Sequence, residues 1–247
     1  MKPKSQLPEH LKELQLVRSL RHHAELAEQA AQKGWSHADY LEGVLEGECH
    51  RRRENRIRRR LQTARFPVPK TLDAFDGSWP KKIDRTHVMD LMRLAFPDTH
   101  ANVILLGGVG LGKSHIATAV GRQACLEGHS VPWVSTIDMI NALVAAQAAA
   151  RLRPELKKYL APDLLILDEL GYLPIDKQGA DLLFQVIGAR YERGSILLTT
   201  HRPFKPWAAI FNNDNTLASA VLDRLLHHAR TVVIEGQSYR MKDPINP

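Results

Sequence analysis

NVILLGGVGLGKS, residues 102–114, sets a short apolar run directly against a glycine-rich loop that ends in Gly112-Lys113-Ser114, and a helical segment follows from His115. A run of that length, apolar throughout, reads as a strand buried on both faces. The loop satisfies G-x-x-x-x-G-K-[ST] in the strand–loop–helix context that gives the pattern meaning. There the backbone N–H groups of Gly107, Gly108, Val109, Gly110, Leu111 and Gly112 turn inward. They form a donor nest at the positive end of a helix, where polyphosphate is favoured. Lys113 is expected at the β and γ phosphates and the Ser114 hydroxyl at Mg²⁺, with His115 the last residue of the nucleotide-contacting run.

Outward from this loop the same alternation continues. The further strands expected are Val131–Ser135, Leu164–Leu167, Ile196–Thr200 and Thr231–Ile234, separated by helical segments such as Ser114–Glu127 and Lys177–Arg193. Apolar strands joined by helical crossovers imply a three-layer α/β fold around a five-stranded parallel sheet.

Leu164-Leu-Ile-Leu167 ends in Asp168-Glu169. A buried strand that delivers two carboxylates needs a reason, because unpaired buried charge is costly. Beside a phosphate loop the reason is chemical: Asp168 holds Mg²⁺ and Glu169 orients and polarises the attacking water. The adjacent acids favour ATP hydrolysis over transfer to a bound acceptor. Ile196–Thr200 is expected between the two nucleotide-motif strands, so that Thr200 or His201 at its tip reaches the γ-phosphate or the water; a merely adjacent polar strand end is the competing reading. Arg224, in Leu222-Asp-Arg-Leu-Leu226, reads either as a surface ion pair or as a finger that stabilises charge at a neighbouring subunit's γ-phosphate.

The amino-terminal quarter is different. Residues 1–65 hold 14 Lys/Arg against 9 Asp/Glu, so they supply +5 of the net +7. Two helices are expected, 8–32 and 37–63, broken at Gly34 and with Ser36 capping the second. Pro67, Pro69, Gly77 and Pro80 then mark a linker, which divides the chain into a basic helical domain, 1–65, and an α/β domain, 66–247. Arg51, Arg52, Arg53, Arg56, Arg58, Arg59 and Arg60 crowd one helix and suit contact with nucleic-acid phosphates. A solvated charged face, or an arm paired with a neighbouring subunit, competes with that reading.

At 44% hydrophobic and 25% charged residues the composition excludes a disordered or collagen-like chain. Cys49 and Cys125 lack a CxxC spacing, which argues against a disulfide scaffold or a structural zinc and for a reducing compartment. The first residues lack a signal-peptide pattern, and the apolar stretch Met139–Ala150 is too short to span a bilayer, so a cytoplasmic protein without a membrane partner is expected.

GGVGLGKS, LLILDELGYLP, ILLTTHRPFKPW and LDRLLHHA together resemble the AAA+ ATPases of the DnaC/IstB group, most closely its IstB branch, the ATP-binding helpers encoded beside the transposase in bacterial insertion sequences. The lead-in KTLDAFD, Lys70–Asp76, and the ending VVIEGQSYRMKD fit the same group. The resemblance implies an AAA+ fold, ATP and Mg²⁺ as ligands, and a homo-oligomer bridged by nucleotide with Arg224 as the finger. It further implies assembly on double-stranded DNA in the bacterial cytoplasm, help to a cognate transposase in using its target site, and disassembly on hydrolysis. A DnaC-like replicative helicase loader is the alternative. Initiator-type members carry an extra helical element between the second and third strands that faces DNA, which here points to Arg151, Arg153, Lys157 and Lys158. His201 stands where the group usually has Asn; an imidazole still donates to phosphate.

Overall fold

A computed structural model of the chain describes residues 5–68 and 82–239. The lead-in Lys70–Asp76, the linker residues Pro69, Gly77 and Pro80, and the chain end from Arg240 lie outside the described residues. The chain divides into two compact units, Met1–Arg59 and Arg60–Pro247.

The first unit is helical: α1 (Leu7–Glu13), α2 (Val17–Lys33) and α3 (His37–Ala64), the last turn of which counts with the second unit. The single helix expected over 8–32 is therefore two. The chain breaks at Gln15, which adopts φ +55°. The carbonyls released by the break find donors, since Leu14 O accepts from Arg52 Nη2 and Gln15 O from Arg51 Nη2, each at 3.3 Å. Arginine side chains thus cap a helix end, a service lysine and arginine commonly perform at C-termini. Gly34, at φ +65°, ends α2. Ser36 and Asp39 then start α3 with reciprocal bonds: Asp39 N donates to Ser36 Oγ at 3.2 Å and Ser36 N to Asp39 Oδ2 at 3.0 Å. This is a capping box with Asp in the acidic position. The unit closes around Glu48, only 2% exposed, whose carboxylate accepts from Arg18 N at 2.9 Å and from the Arg51 and Arg52 guanidiniums. The hydrogen bond from Arg51 is the main reason its pKa falls below the usual Glu range.

The second unit runs β1 (Lys82–Ile83), α4 (Arg85–Met92), α5 (Ala95–Asp98), β2 (Asn102–Gly107), α6 (Lys113–Glu127), β3 (Trp133–Ser135), α7 (Thr136–Ala148), α8 (Leu152–Leu160), β4 (Leu164–Leu170), α9 (Lys177–Arg190), β5 (Ser195–Thr200), a 3-10 turn, α10 (Asn215–Leu226) and β6 (Ala229–Glu235). The sheet order is β1-β6-β2-β5-β4-β3. Five strands are parallel, as the sequence pattern implies, and β5 lies between β2 and β4. The sixth, β1, pairs antiparallel with β6 over two residues, too few to leave a periodic signal. β3 starts at Trp133 rather than Val131, because Pro132 has no N–H to offer the ladder.

Alternate residues of each central strand enter opposite core layers, as strand geometry demands. Ile104, Leu165, Leu167 and Leu198 pack against α7, α9 and α10, whereas Val103, Leu105, Ile166 and Leu197 pack against α4 and α6.

Arg190 is buried inside this apolar body, at 1% exposed. Its guanidinium donates to the carbonyls of Tyr159, Pro162, Asp163 and Ser195 at 2.7–3.0 Å, joining the end of α8 to the starts of β4 and β5. Burial pulls its pKa down to about 10, opposed by the charge of Asp163, so it stays a cation near neutral pH. Arg190→Met should remove the Arg190 donors from four carbonyls, of which Asp163 O keeps the Ser195 N–H, and lower unfolding free energy by about 3 kcal/mol or more, read by chemical denaturation.

Candidate nucleotide-binding site

The phosphate loop joins β2 to α6, so its backbone N–H groups crown a 15-residue helix. Gly110 and Gly112 adopt φ +76° and +85°, backbone that only glycine enters without strain. Leu111 sinks into the core and pins the loop, while Val109 is exposed at its tip. The Lys113 ammonium folds back over the loop and donates to Gly107 O at 2.8 Å and Gly108 O at 2.7 Å. His115 sits half-buried in the first turn of α6. Gly107 to His115 thus run from the end of β2 through the loop, the cradle expected for phosphate, into the first turn of α6.

The acids meet this cradle from β4. Asp168 is 4% exposed, and its Oδ1 accepts from Ser114 Oγ at 3.0 Å and from Thr199 Oγ1. The two residues expected at Mg²⁺, Ser114 and Asp168, are thus in direct contact across 54 positions of sequence. Two oxygen donors beside a phosphate nest form a ligand set suited to a hard cation. Glu169 follows at φ +62°, where β4 shifts register against β5 between Leu167 and Leu170. The bulge turns the Glu169 side chain out of the buried strand and leaves it exposed. A non-glycine residue held at positive φ stores strain that neighbours must hold in place. Here Thr199 Oγ1 accepts the Glu169 N–H at 2.9 Å, and Thr136 Oγ1 donates to Asp168 O at 2.9 Å.

Thr199 is the residue that sequence reasoning missed. The strand tip was expected to act through Thr200 or His201, but Thr200 Oγ1 donates to Leu170 O at 2.8 Å and accepts from Arg202 N at 3.1 Å. Alternation along β5 puts Thr199 and Thr200 on opposite faces, and only the pairing register with β4 says which one meets the acids. His201 does approach the site. It lies edge-on to Tyr172 at 5.8 Å, and burial, then the charges of Arg202 and Lys113, lower its pKa while Glu169 acts the other way.

Arg224 lies elsewhere. Its guanidinium covers the Phe184 ring at 4.5 Å and donates to Ala220 O at 3.0 Å. The end of α10 is tied to the first residue of β2, since Asn102 Nδ2 donates to Leu225 O at 3.1 Å. The phosphate loop begins at the other end of that strand, roughly 17–20 Å away at strand rise. Arg224 is thus remote from the nucleotide cradle of its own chain.

The basic residues divide into groups. Arg51 and Arg52 are engaged by Glu48 and the end of α1, whereas Arg53, Arg56, Arg58 and Arg59 are exposed on α3. Arg60 is half-buried in the second unit, where its charge acts on Cys125, whose thiol burial pushes up to about 11. A helix does stand between β3 and β4 after α7: α8 buries Leu156 and Tyr159 and exposes Arg151, Arg153, Lys157 and Lys158. Lys158 pairs with Glu155 at 2.6 Å.

The family model for IstB-like ATP binding proteins matches residues 9–246. The chain belongs to that family. An IS21 putative ATP-binding protein of Pseudomonas aeruginosa is 42% identical, over 91% of this chain and 84% of the relative. An IS232 putative ATP-binding protein of Bacillus thuringiensis is 37% identical over 96% and 95%. Among solved structures, the DnaC helicase loader matches with a TM-score of 0.55 at 22% identity, over 67% of this chain and 96% of that one, which shows a shared fold. Among the described residues, no helix is long and apolar enough to cross a membrane.

Thr199→Val keeps the shape but removes both bonds that Thr199 makes to the acids. Phosphate release from ATP should fall about 10- to 100-fold, the cost of one or two hydrogen bonds to charged or strained groups, with ATP affinity nearly unchanged. Thr199→Ser, which keeps the hydroxyl, should recover most of the rate. Equal losses in the two variants would assign the residue to packing alone.

Proposed function

We propose that the chain binds and hydrolyses ATP as its Mg²⁺ complex, assembles on double-stranded DNA through nucleotide-bridged subunit contacts, and helps a transposase use its target site, with hydrolysis dismantling the assembly. The observation that carries this reading is the convergence of Lys113, Ser114, Asp168 and Glu169 at one end of the sheet while Arg224 stands at the other. Lys113 and the loop amides would bind the polyphosphate, Ser114 and Asp168 would hold the metal, and the exposed, backbone-restrained Glu169 would orient and deprotonate water. His201, whose neighbours include Lys113 and Glu169, would donate a hydrogen bond on the phosphate side. Arg224, remote from its own phosphate loop, would complete the site of a neighbouring subunit. The insertion-sequence names of the relatives favour a transposition helper over a helicase loader.

DNA contact falls to Arg53, Arg56, Arg58 and Arg59, with the α8 cations Arg151, Arg153, Lys157 and Lys158 as a second set. Neither segment carries a sequence-reading module, so binding should be dominated by the phosphate backbone and largely indifferent to sequence.

Two experiments test the reading. Arg224→Ala should leave ATP binding intact and lose hydrolysis, and Lys113→Ala should lose binding. Mixed assemblies of the two should regain phosphate release, because the Lys113→Ala subunits lend Arg224 to loaded neighbours; no recovery in demonstrated mixed oligomers would place Arg224 outside the reaction. Second, replacing Arg53, Arg56 and Arg59 with Gln should weaken binding to unrelated duplexes equally. It should also flatten the log–log salt dependence by about 0.9 for each phosphate that is no longer neutralised, measured with oligomer size monitored throughout. An unchanged slope would remove this helix from the DNA interface.

A further inference from the structure

At the end of the sheet away from the phosphate loop, two segments far apart in sequence bring Glu192, His227 and His228 together. One ligand atom from each lies within 4.8 Å of the others. Glu192 sits at φ +57° in the turn after α9, which is closed by Arg193 N and Gly194 N donating to Arg190 O at 2.9 and 3.0 Å. His227 and His228 follow α10 with their rings 4.1 Å apart, and His228 O accepts from Asn102 N at 2.9 Å. Asn102 in turn ties down both segments: its Nδ2 donates to Leu225 O at 3.1 Å, and its Oδ1 accepts from Ile196 N at 2.9 Å. The side chains are exposed, but the backbone that carries them is anchored to the starts of β2 and β5.

We propose that Glu192, His227 and His228 form a binding site for a zinc-class dication. Two imidazoles and a carboxylate are a ligand set such ions favour over Mg²⁺, and metal–ligand distances of about 2.0–2.2 Å need neighbouring donor atoms about 3–4 Å apart, which exposed side chains already within 4.8 Å of one another reach by small rotations. Tyr191 supplies the outer layer. Its hydroxyl lies 2.9 Å from His227 Nδ1, which leaves Nε2 of that ring as the ligand atom; with metal on Nε2, Nδ1–H would donate to the Tyr191 oxygen. Arg224 lines the recess beside Glu192 and His228, and its charge opposes a bound cation. His100 and the buried Arg190 line the same recess. The site is separate from the Ser114–Asp168 pair and does not depend on the nucleotide reading.

The test is titration of the untagged full chain with Zn²⁺, without nucleotide and near neutral pH, by calorimetry. Co²⁺ serves as an absorbing probe of the ligand set. One equivalent should bind, and His227→Gln/His228→Gln and Glu192→Gln should each weaken it tenfold or more. Tyr191→Phe should weaken it about tenfold, the usual cost of removing an outer-layer partner. Binding should weaken as pH is lowered, because protons compete with the metal for the same nitrogens. Glu192→Gln, in an exposed turn, keeps the test usable if the histidine pair is needed for folding. Cys49 is the exposed free thiol, so Cys49→Ser is the control and should change nothing. No binding, loss of binding in Cys49→Ser, or unchanged affinity in Glu192→Gln would overturn the proposal.

Discussion

A carboxylate at the end of an apolar strand must be hydrogen-bonded or it destabilises the strand that carries it, and Asp168 meets that demand by tying three elements together. Ser114 from the head of α6 and Thr199 from the tip of β5 both donate to one of its oxygens, and Thr136 holds its backbone carbonyl. The same Thr199 hydroxyl accepts the N–H of Glu169, whose left-handed backbone would otherwise relax. The bulge in β4 follows from this clamp. It lets one acid stay buried with its partners while the next is turned out to solvent. A hydroxyl offers one proton and two lone pairs, so a single threonine can serve both acids and couple their positions.

The parallel sheet separates two kinds of chemistry by its length. At one end the loop amides, Lys113 and the acids gather around the head of α6; at the other lie Arg224, Tyr191, Glu192 and the His227–His228 pair. Asn102 and Arg190 make that second end rigid, one by side-chain bonds to two segments and the other by donating to four carbonyls. Rigidity there matters if Arg224 is to be presented to a neighbour, because a finger on a fraying helix end would lose the geometry that gives it value.

The helical first unit solves a different problem, that of burying a charge in a small core. Glu48 is almost fully enclosed, and the Arg51 and Arg52 that neutralise it also cap the end of α1. Removing one partner of such a cluster costs more than a surface pair, because the remaining charge stays buried. A run of seven arginines is therefore not one functional stripe: it holds two residues with structural work and four exposed on α3, and Arg60 belongs to the second unit.

The sequence by itself determined the five parallel strands, the phosphate loop with Lys113 and Ser114, and the two acids at the end of β4, since each rests on local periodicity or on a spacing that backbone geometry enforces. It also determined the family, because the loop, LLILDELGYLP, ILLTTHRPFKPW and LDRLLHHA are each contiguous. It did not determine the break at Gln15, which depends on arginines 36 and 38 positions away to donate to the freed carbonyls. Nor did it choose Thr199 over Thr200, because strand parity is silent until the register with β4 is set. Only the tertiary structure decided that Arg224 stands away from its own phosphate loop, and that a glutamate and two histidines from separate turns share one corner, since both follow from which strand ends lie side by side.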